Sequence, residues 1–199
     1  MFYSFDGIDG SGKSTQVRLF AEGLREHGRE VVVCRDPGST PLGDEIRKLL
    51  LHRDDLDIAR RAEMLLYMAA RAQLVEQVIH PALESGKVVV SDRFLLANVV
   101  YQGHAGGLDV PSLWQVGRIA TAGLEPDLTF VLDIDDARAA ERLARPLDRM
   151  ERQGDAFRAA LRAGYLAEAA RQPQRIAVID ASRGIEEVQA DVRRAAGMA

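Results

Sequence analysis

Cysteine is nearly missing from these 199 residues: Cys34 stands alone. A single thiol cannot close an internal disulfide, which fits a cytoplasmic setting. At the end of an apolar stretch, it reads as a small core residue rather than a nucleophile. Long apolar runs are absent too. None approaches the roughly 18 residues of a membrane span, and the first strand begins at residue 1, so neither a membrane helix nor a cleaved leader is expected. The net charge is only −4, which gives no ground for a general nucleic-acid binder. Repeats, linkers and low-complexity tracts are lacking. Asparagine occurs once, as Asn98 before Val99, so the Asn-Lys-x-Asp loop that reads guanine in GTPases is missing.

What is present is the balance of a globular chain, 47% apolar and 28% charged, of a length suited to one α/β domain over 1–199. Short apolar strands alternate with helical periodicity. Met1–Phe5, Val31–Cys34, Lys87–Asp92, Leu128–Asp133 and Arg175–Ile179 read as strands, and Val31–Cys34 as buried on both faces. Between them run helices. The first starts at Ser14, with Val17, Phe20, Ala21 and Leu24 on one face and Gly28 as its stop. The second starts at Thr40 and Pro41 with Leu42, Ile46, Leu49 and Leu50 inward. A long one runs from about Ile58 towards Pro81, and helical segments follow to about Gly123. The last helix covers Ile185 to Ala196. This alternation predicts a parallel sheet with helices on both faces, and a ligand at the carboxyl ends of its strands.

Gly7-Ile8-Asp9-Gly10-Ser11-Gly12-Lys13-Ser14 matches G-x-x-x-x-G-K-[ST] between the first strand and the first helix. In such a P-loop the backbone N–H groups turn inward on a phosphate chain. Lys13 reaches the terminal phosphates, and the Ser14 hydroxyl is placed for Mg²⁺. The helix that follows aims its positive end at the same anion.

A P-loop leaves a GTP switch, a motor or transporter ATPase and a small-molecule kinase open. Without a guanine reader, and with a chain too short to hold an ATPase module and a machine to drive, phosphoryl transfer between small molecules remains. Asp92 ends the third strand facing the Mg²⁺ side of the loop, and Arg93 beside it can bridge donor and acceptor phosphates. The alternative for that pair is a surface ion pair capping the next helix.

The chain resembles the thymidylate kinase family nearly from end to end. Asp6 to Thr15 repeats its acidic-Gly-x-acidic-Gly-x-GKST pattern, and Arg35-Asp36-Pro37-Gly38-Ser39-Thr40 its Arg-Glu-Pro-Gly-Gly-Thr loop. Asp92-Arg93-Phe94 with Val100-Tyr101-Gln102-Gly103, then Pro126-Asp127-Leu128-Thr129, and Asp148-Arg149-Met150-Glu151 follow its later motifs. The resemblance implies a nucleoside monophosphate kinase fold with a lid at about 142–152. It also implies ATP as donor, Mg²⁺ as cofactor, thymidine monophosphate as acceptor and a homodimer.

Residue by residue, the resemblance puts ATP on Gly7, Ile8, Asp9, Gly10, Ser11, Gly12, Lys13, Ser14 and Thr15, and the metal on Ser14 and Asp92. Tyr67 would stack on thymine, and Arg71, one turn on along the same face, would bond its carbonyl. Arg47 and Arg93 would hold the acceptor phosphate, Asn98 and Gln102 the base edge, and Asp9 the sugar 3′-hydroxyl or the metal. Tyr101 would fill the space of a ribose 2′-hydroxyl, Asp36 would line the acceptor site, and Asp180-Ala181-Ser182 would lie beside adenine. Lys13, Arg93 and Asp9 are implied as catalytic.

Two residues depart from the pattern: Phe94 replaces a tyrosine or histidine, and Ser39 a glycine, which reduces that loop's freedom. The stretch around Pro146 is slightly short. Arg142, Arg145, Arg149 and Arg152 are spaced three and four apart, although Pro146 opposes one continuous helix. They suit either a solvated face with Glu141 and Glu151 or the lid. Gly10 and Ser11 leave Lys13 as the cation inside the P-loop, and family members without a P-loop arginine supply one from the lid. Arg145 and Arg149 are therefore the expected lid arginines. The expected reaction is ATP plus thymidine monophosphate to ADP plus thymidine diphosphate. A kinase of another deoxynucleotide or of a deoxynucleoside is the alternative. Nucleotide binding without turnover fits the Lys13, Ser14, Asp92 and Arg93 set less well.

Overall fold

The computed structural model describes residues 1–53, 55–142 and 154–198. Five parallel strands form one sheet in the order β2-β3-β1-β4-β5: β1 (Phe2–Asp6), β2 (Val31–Arg35), β3 (Val88–Asp92), β4 (Leu128–Asp133) and β5 (Ile176–Asp180). Every hydrogen-bonded pair runs parallel, with Phe5 opposite both Asp92 and Phe130. β1 and β3 lie inside the sheet and are almost wholly buried.

β2 differs from its reading as a doubly buried strand. It is an edge strand, Val33 is exposed, and only Cys34 is fully buried. Composition does not separate the two cases, because an apolar run of this length suits an edge and a centre equally well.

α1 (Lys13–Glu26) packs Val17, Phe20, Ala21 and Leu24 into the larger core, where Phe20 meets Tyr3, Phe5 and Phe130 edge-on. α2 (Pro41–His52) starts as expected, the Thr40 hydroxyl accepting from the Gly43 N–H at 2.9 Å with Pro41 in the first turn. Its inward face is the expected one at Ile46 and Leu50 but not at Leu42, and Leu49 is only partly buried. Gly43, Ile46 and Leu50 are buried, and Leu42 is exposed. A Cβ at Gly43 would come within 2.8 Å of the Thr40 hydroxyl and 3.0 Å of the Gly38 carbonyl, so the first turn packs closely on that loop.

The long helix comes in three continuous pieces: α3 (Arg60–Leu74), a π-helical segment (Val75–Ile79) and α4 (His80–Glu84). The widened turn lies just before Pro81, which has no N–H to give to the ladder. A second π-helical segment, Val99–Ala105, extends α5 (Leu95–Asn98) and holds Tyr101 and Gln102. α6 (Val110–Ala120), α7 (Asp136–Arg142), α8 (Asp155–Arg171) and α9 (Ile185–Ala195) complete the layers.

Phe94 is buried, edge-on to Phe2 at 5.0 Å and beneath the Arg71 guanidinium, so the position has no use for a polar tip. Ser39 adopts φ 63, the left-handed conformation a glycine takes without strain. It is held there by hydrogen bonds from the Arg35 N–H to its hydroxyl and from its own N–H to Asp44. The neighbouring Asp36–Pro37 peptide is cis.

Candidate active site

The carboxyl ends of β1, β2 and β3 converge on two adjoining cavities. The larger, about 830 Å³, is lined by Asp9 to Gln16, Asp92, Arg142, Arg183 and Ile185 among others; the smaller, about 90 Å³, by Tyr67, Arg71, Asn98, Tyr101 and Gln102 among others. Asp9, Asp36, Arg47 and Arg93 line both. The sheet puts them together because Asp36, Arg93 and Asp9 all follow strand ends.

The P-loop forms the floor of the larger cavity. Gly7 has φ 132, and a Cβ there would come within 2.6 Å of the Leu132 carbonyl, so no larger residue fits. Gly12, at φ 92, turns the chain into α1, and Lys13 opens that helix. The Lys13 ammonium donates to the Gly7 and Ile8 carbonyls at 3.0 and 2.9 Å and lies 3.7 Å from Asp9. Burial pushes its pKa down and Arg93 adds to that, while Asp9, Asp92 and Asp6 oppose it. Ser11 is buried, its hydroxyl with no hydrogen-bond partner among the described residues, and Thr15 is half-buried behind the loop.

The Ser14 hydroxyl donates to Asp92 at 3.1 Å, which brings a hydroxyl and a carboxylate together at the α1 N-terminus. Among the described residues no group of three or more His, Cys, Asp or Glu is arranged to hold a metal. Magnesium carried on phosphates needs only one or two protein oxygens, and this pair fits it.

Arg93 is the hub. It adopts φ 69 and gives two nitrogens to four acceptors: Asp9 at 2.7 Å, the Tyr101 hydroxyl at 3.0 Å, and the Gly7 carbonyl and Tyr165 hydroxyl at 3.2 Å. Tyr101 donates in turn to Asp9 at 3.0 Å. Burial opposes ionisation of Asp9, but Arg93, Lys13 and these hydrogen bonds hold its carboxyl well below the usual range. Arg93 stays firmly charged against its burial because Asp9 faces it. Asp92 and Arg93 both line the larger cavity.

Two participants went unread in the sequence. Asp6 is fully buried at the end of β1, where burial pushes its carboxyl up to about 7 against the pull of Arg93 and Lys13. Tyr165 of α8 reaches Asp6 at 3.4 Å as well as Arg93. The acidic residue before Gly7 was a signal for Asp6; nothing local marks Tyr165.

In the smaller cavity Tyr67 is half-buried and Arg71 fully buried, on one face of α3 as their spacing requires. The Arg71 Nε donates to Asp36 at 2.6 Å, and its other nitrogens reach the Asn98 oxygen, the Met68 sulfur and the Phe94 carbonyl. Burial pushes the Asp36 carboxyl up, and Arg71 pulls it back. Asp36 therefore positions Arg71 more than it meets a ligand itself. Arg47 donates to the Pro37 carbonyl; its pKa is lowered by burial first and then by Arg35 and Arg93. Arg142 donates to the Ala181 carbonyl in the turn after β5. Arg145 and Arg149 lie outside the described residues.

The thymidylate kinase family model matches residues 5–192. A thymidylate kinase of Pelotomaculum thermopropionicum is 50% identical over 98% of this chain and 92% of its own length. One of Symbiobacterium thermophilum is 47% identical over 98% and 91%. The crystal structure of thymidylate kinase from Ehrlichia chaffeensis superposes with a TM-score of 0.78 at 32% identity, covering 98% of this chain and 97% of that one. With the family model matched over nearly the whole chain and relatives near 50% identical, the chain belongs to the thymidylate kinase family.

Proposed function

We propose that the chain transfers the terminal phosphoryl group of ATP to thymidine monophosphate, giving ADP and thymidine diphosphate for the dTTP supply. The observation that carries the reading is the shared wall: Asp9, Asp36, Arg47 and Arg93 line both the P-loop cavity and the pocket of Tyr67 and Arg71. Donor and acceptor phosphates would meet there, flanked by Lys13, Arg47 and Arg93. Positioning and countercharge are what phosphoryl transfer asks of a protein.

Arg71 has five N–H donors, and the four acceptors named above, among the described residues, leave one hydrogen for a ligand carbonyl. Thymine offers such a carbonyl, where cytosine offers an amino group. Tyr67 would stack on the base, and Tyr101, tied to Asp9 and Arg93, would fill the space beside the sugar. Asp9 would accept from the 3′-hydroxyl. Ser14 and Asp92 would hold Mg²⁺, which when bound neutralises charge on the phosphate oxygens. Arg145 and Arg149 would close over the transferred group and exclude water. Leu42 on α2 and Leu65 on α3 are exposed apolar side chains that a homodimer would cover. The lone buried thiol Cys34 fits work in the cytoplasm.

The test is ADP release from ATP with thymidine monophosphate as acceptor, run with and without Mg²⁺. Acceptor- and Mg²⁺-dependent turnover that Asp92→Asn weakens supports the reading. ADP release indifferent to the acceptor opposes it.

A further inference from the structure

Glu63 falls four residues before Tyr67 and eight before Arg71, so α3 carries the three along one face. Facing them, Asn98 and Gln102 are also four apart, on the helical stretch that begins at α5. The two faces are joined by hydrogen bonds that all run one way. Arg71 donates to the Asn98 oxygen at 3.0 Å, the Asn98 nitrogen to the Gln102 oxygen at 2.6 Å, and the Gln102 nitrogen to Glu63 at 3.0 Å. A guanidinium only donates and a carboxylate only accepts, so both ends impose the same direction on the two amides. Glu63, Arg71, Asn98 and Gln102 are all buried, and reversing either amide would set donor against donor out of reach of water. The carboxylate is also favoured where it stands, in the first turn of α3.

We propose that Glu63 is a specificity-determining positioning residue. By anchoring the Gln102 nitrogen it keeps the amide oxygens of Gln102 and Asn98 as the acceptors available in the base pocket. Glu63 acts through Gln102, since Asn98 and Gln102 line the smaller cavity and Glu63 does not. Each amide oxygen retains an acceptor site beside the bond named above. A pyrimidine imide, with a hydrogen on N3, finds an acceptor there. Cytosine presents a bare N3 lone pair to the same oxygens and is rejected. Without the anchor the buried Gln102 nitrogen is left unpaired, and only the Asn98 end still opposes its turning to the pocket, where it would accommodate cytosine. The inference rests on the thymine reading given above.

The test compares kcat/KM for thymidine and deoxycytidine monophosphates in three variants. Glu63→Gln keeps an acceptor oxygen at the same reach and should hold the thymine-to-cytosine ratio within about 3-fold of the parent. Glu63→Leu removes the acceptor, and Glu63→Asp withdraws it by one methylene. Both should narrow the ratio by about 10-fold or more, with KM for ATP unchanged. Should the leucine variant not fold, the aspartate variant decides alone. The reverse ranking, with Asp sparing the ratio and Gln losing it, would mean that charge rather than acceptor position matters, and would overturn the proposal. A parallel loss for both nucleotides would do the same, leaving Glu63 a packing residue. A parent enzyme that prefers deoxycytidine monophosphate would defeat the thymine reading itself, a result seen before any variant is made.

Discussion

Arg71 and Asp36 meet at 2.6 Å with neither side chain exposed by more than 2%. Thirty-five residues apart in the chain, they join the loop after β2 to the last turn of α3, and the guanidinium so fixed lies over the Phe94 ring. Removing one partner of such a pair strands the other charge in the interior. Asp36→Ala should therefore cost about 3–5 kcal/mol of stability, and Asp36→Asn less because an amide oxygen still accepts from Nε. Urea unfolding of both variants checks this. A loss below about 1 kcal/mol for the alanine variant would mean that water reaches Arg71.

Lys13→Ala should leave the fold intact and lower kcat by more than about 100-fold. Among the described residues the lysine gives up hydrogen bonds to the carbonyls of Gly7 and Ile8, and it would face charge that develops during transfer. Circular dichroism and the ADP assay read the two halves of this. Activity within about 10-fold of the parent, a barrier change of only about 1.4 kcal/mol, would be too small for a phosphate clamp.

Asp6 gives the stability a pH dependence of known sign. Its carboxyl titrates near 7 in the folded chain, against an ordinary value of 3.8. Between those values the native state holds a proton that the unfolded chain releases, so stability from this group is lost as pH rises to 7. Asp6→Asn cannot ionise. Its melting temperature should match the parent's near pH 4 and exceed it by several degrees at pH 8. A difference that stays flat over this range would show that Asp6 is ionised throughout.

Arg149→Ala should lower kcat far more than it raises either KM, because a cation that engages only on closure binds the transition state better than the ground state. A raised KM with kcat unchanged would make Arg149 a ground-state phosphate contact.

The sheet and the floor of the site could be read in the sequence because both rest on local rules. Glycines at Gly7 and Gly12, a strand before and a helix after, leave a P-loop little choice. The same holds for the Thr40 cap and for the shared face of Tyr67 and Arg71. What escaped reading was set by partners distant in the chain. Val31–Val33 looks central by composition, and lies at an edge because no strand follows it in the sheet order. Leu42 fits the apolar stripe of α2 and yet faces outward. Glu63 carries a readable signal, a carboxylate one turn before Tyr67 on its face. Its meaning emerges only when Gln102, thirty-nine residues on, arrives opposite. Tyr165 reaches Asp6 across 159 residues and leaves no local trace.

The most direct measurement is competition among acceptors for the purified chain with ATP and Mg²⁺. Thymidine monophosphate should give the highest kcat/KM. Deoxyuridine monophosphate, which lacks only a methyl group, should follow about 10- to 200-fold lower. Deoxycytidine monophosphate should fall further, since its amino group meets the remaining Arg71 donor. Uridine monophosphate should fall below deoxyuridine monophosphate, because Tyr101 closes the space of the 2′-hydroxyl. If deoxycytidine monophosphate or a purine monophosphate is phosphorylated best, the roles given to Tyr67, Arg71 and Tyr101 are wrong.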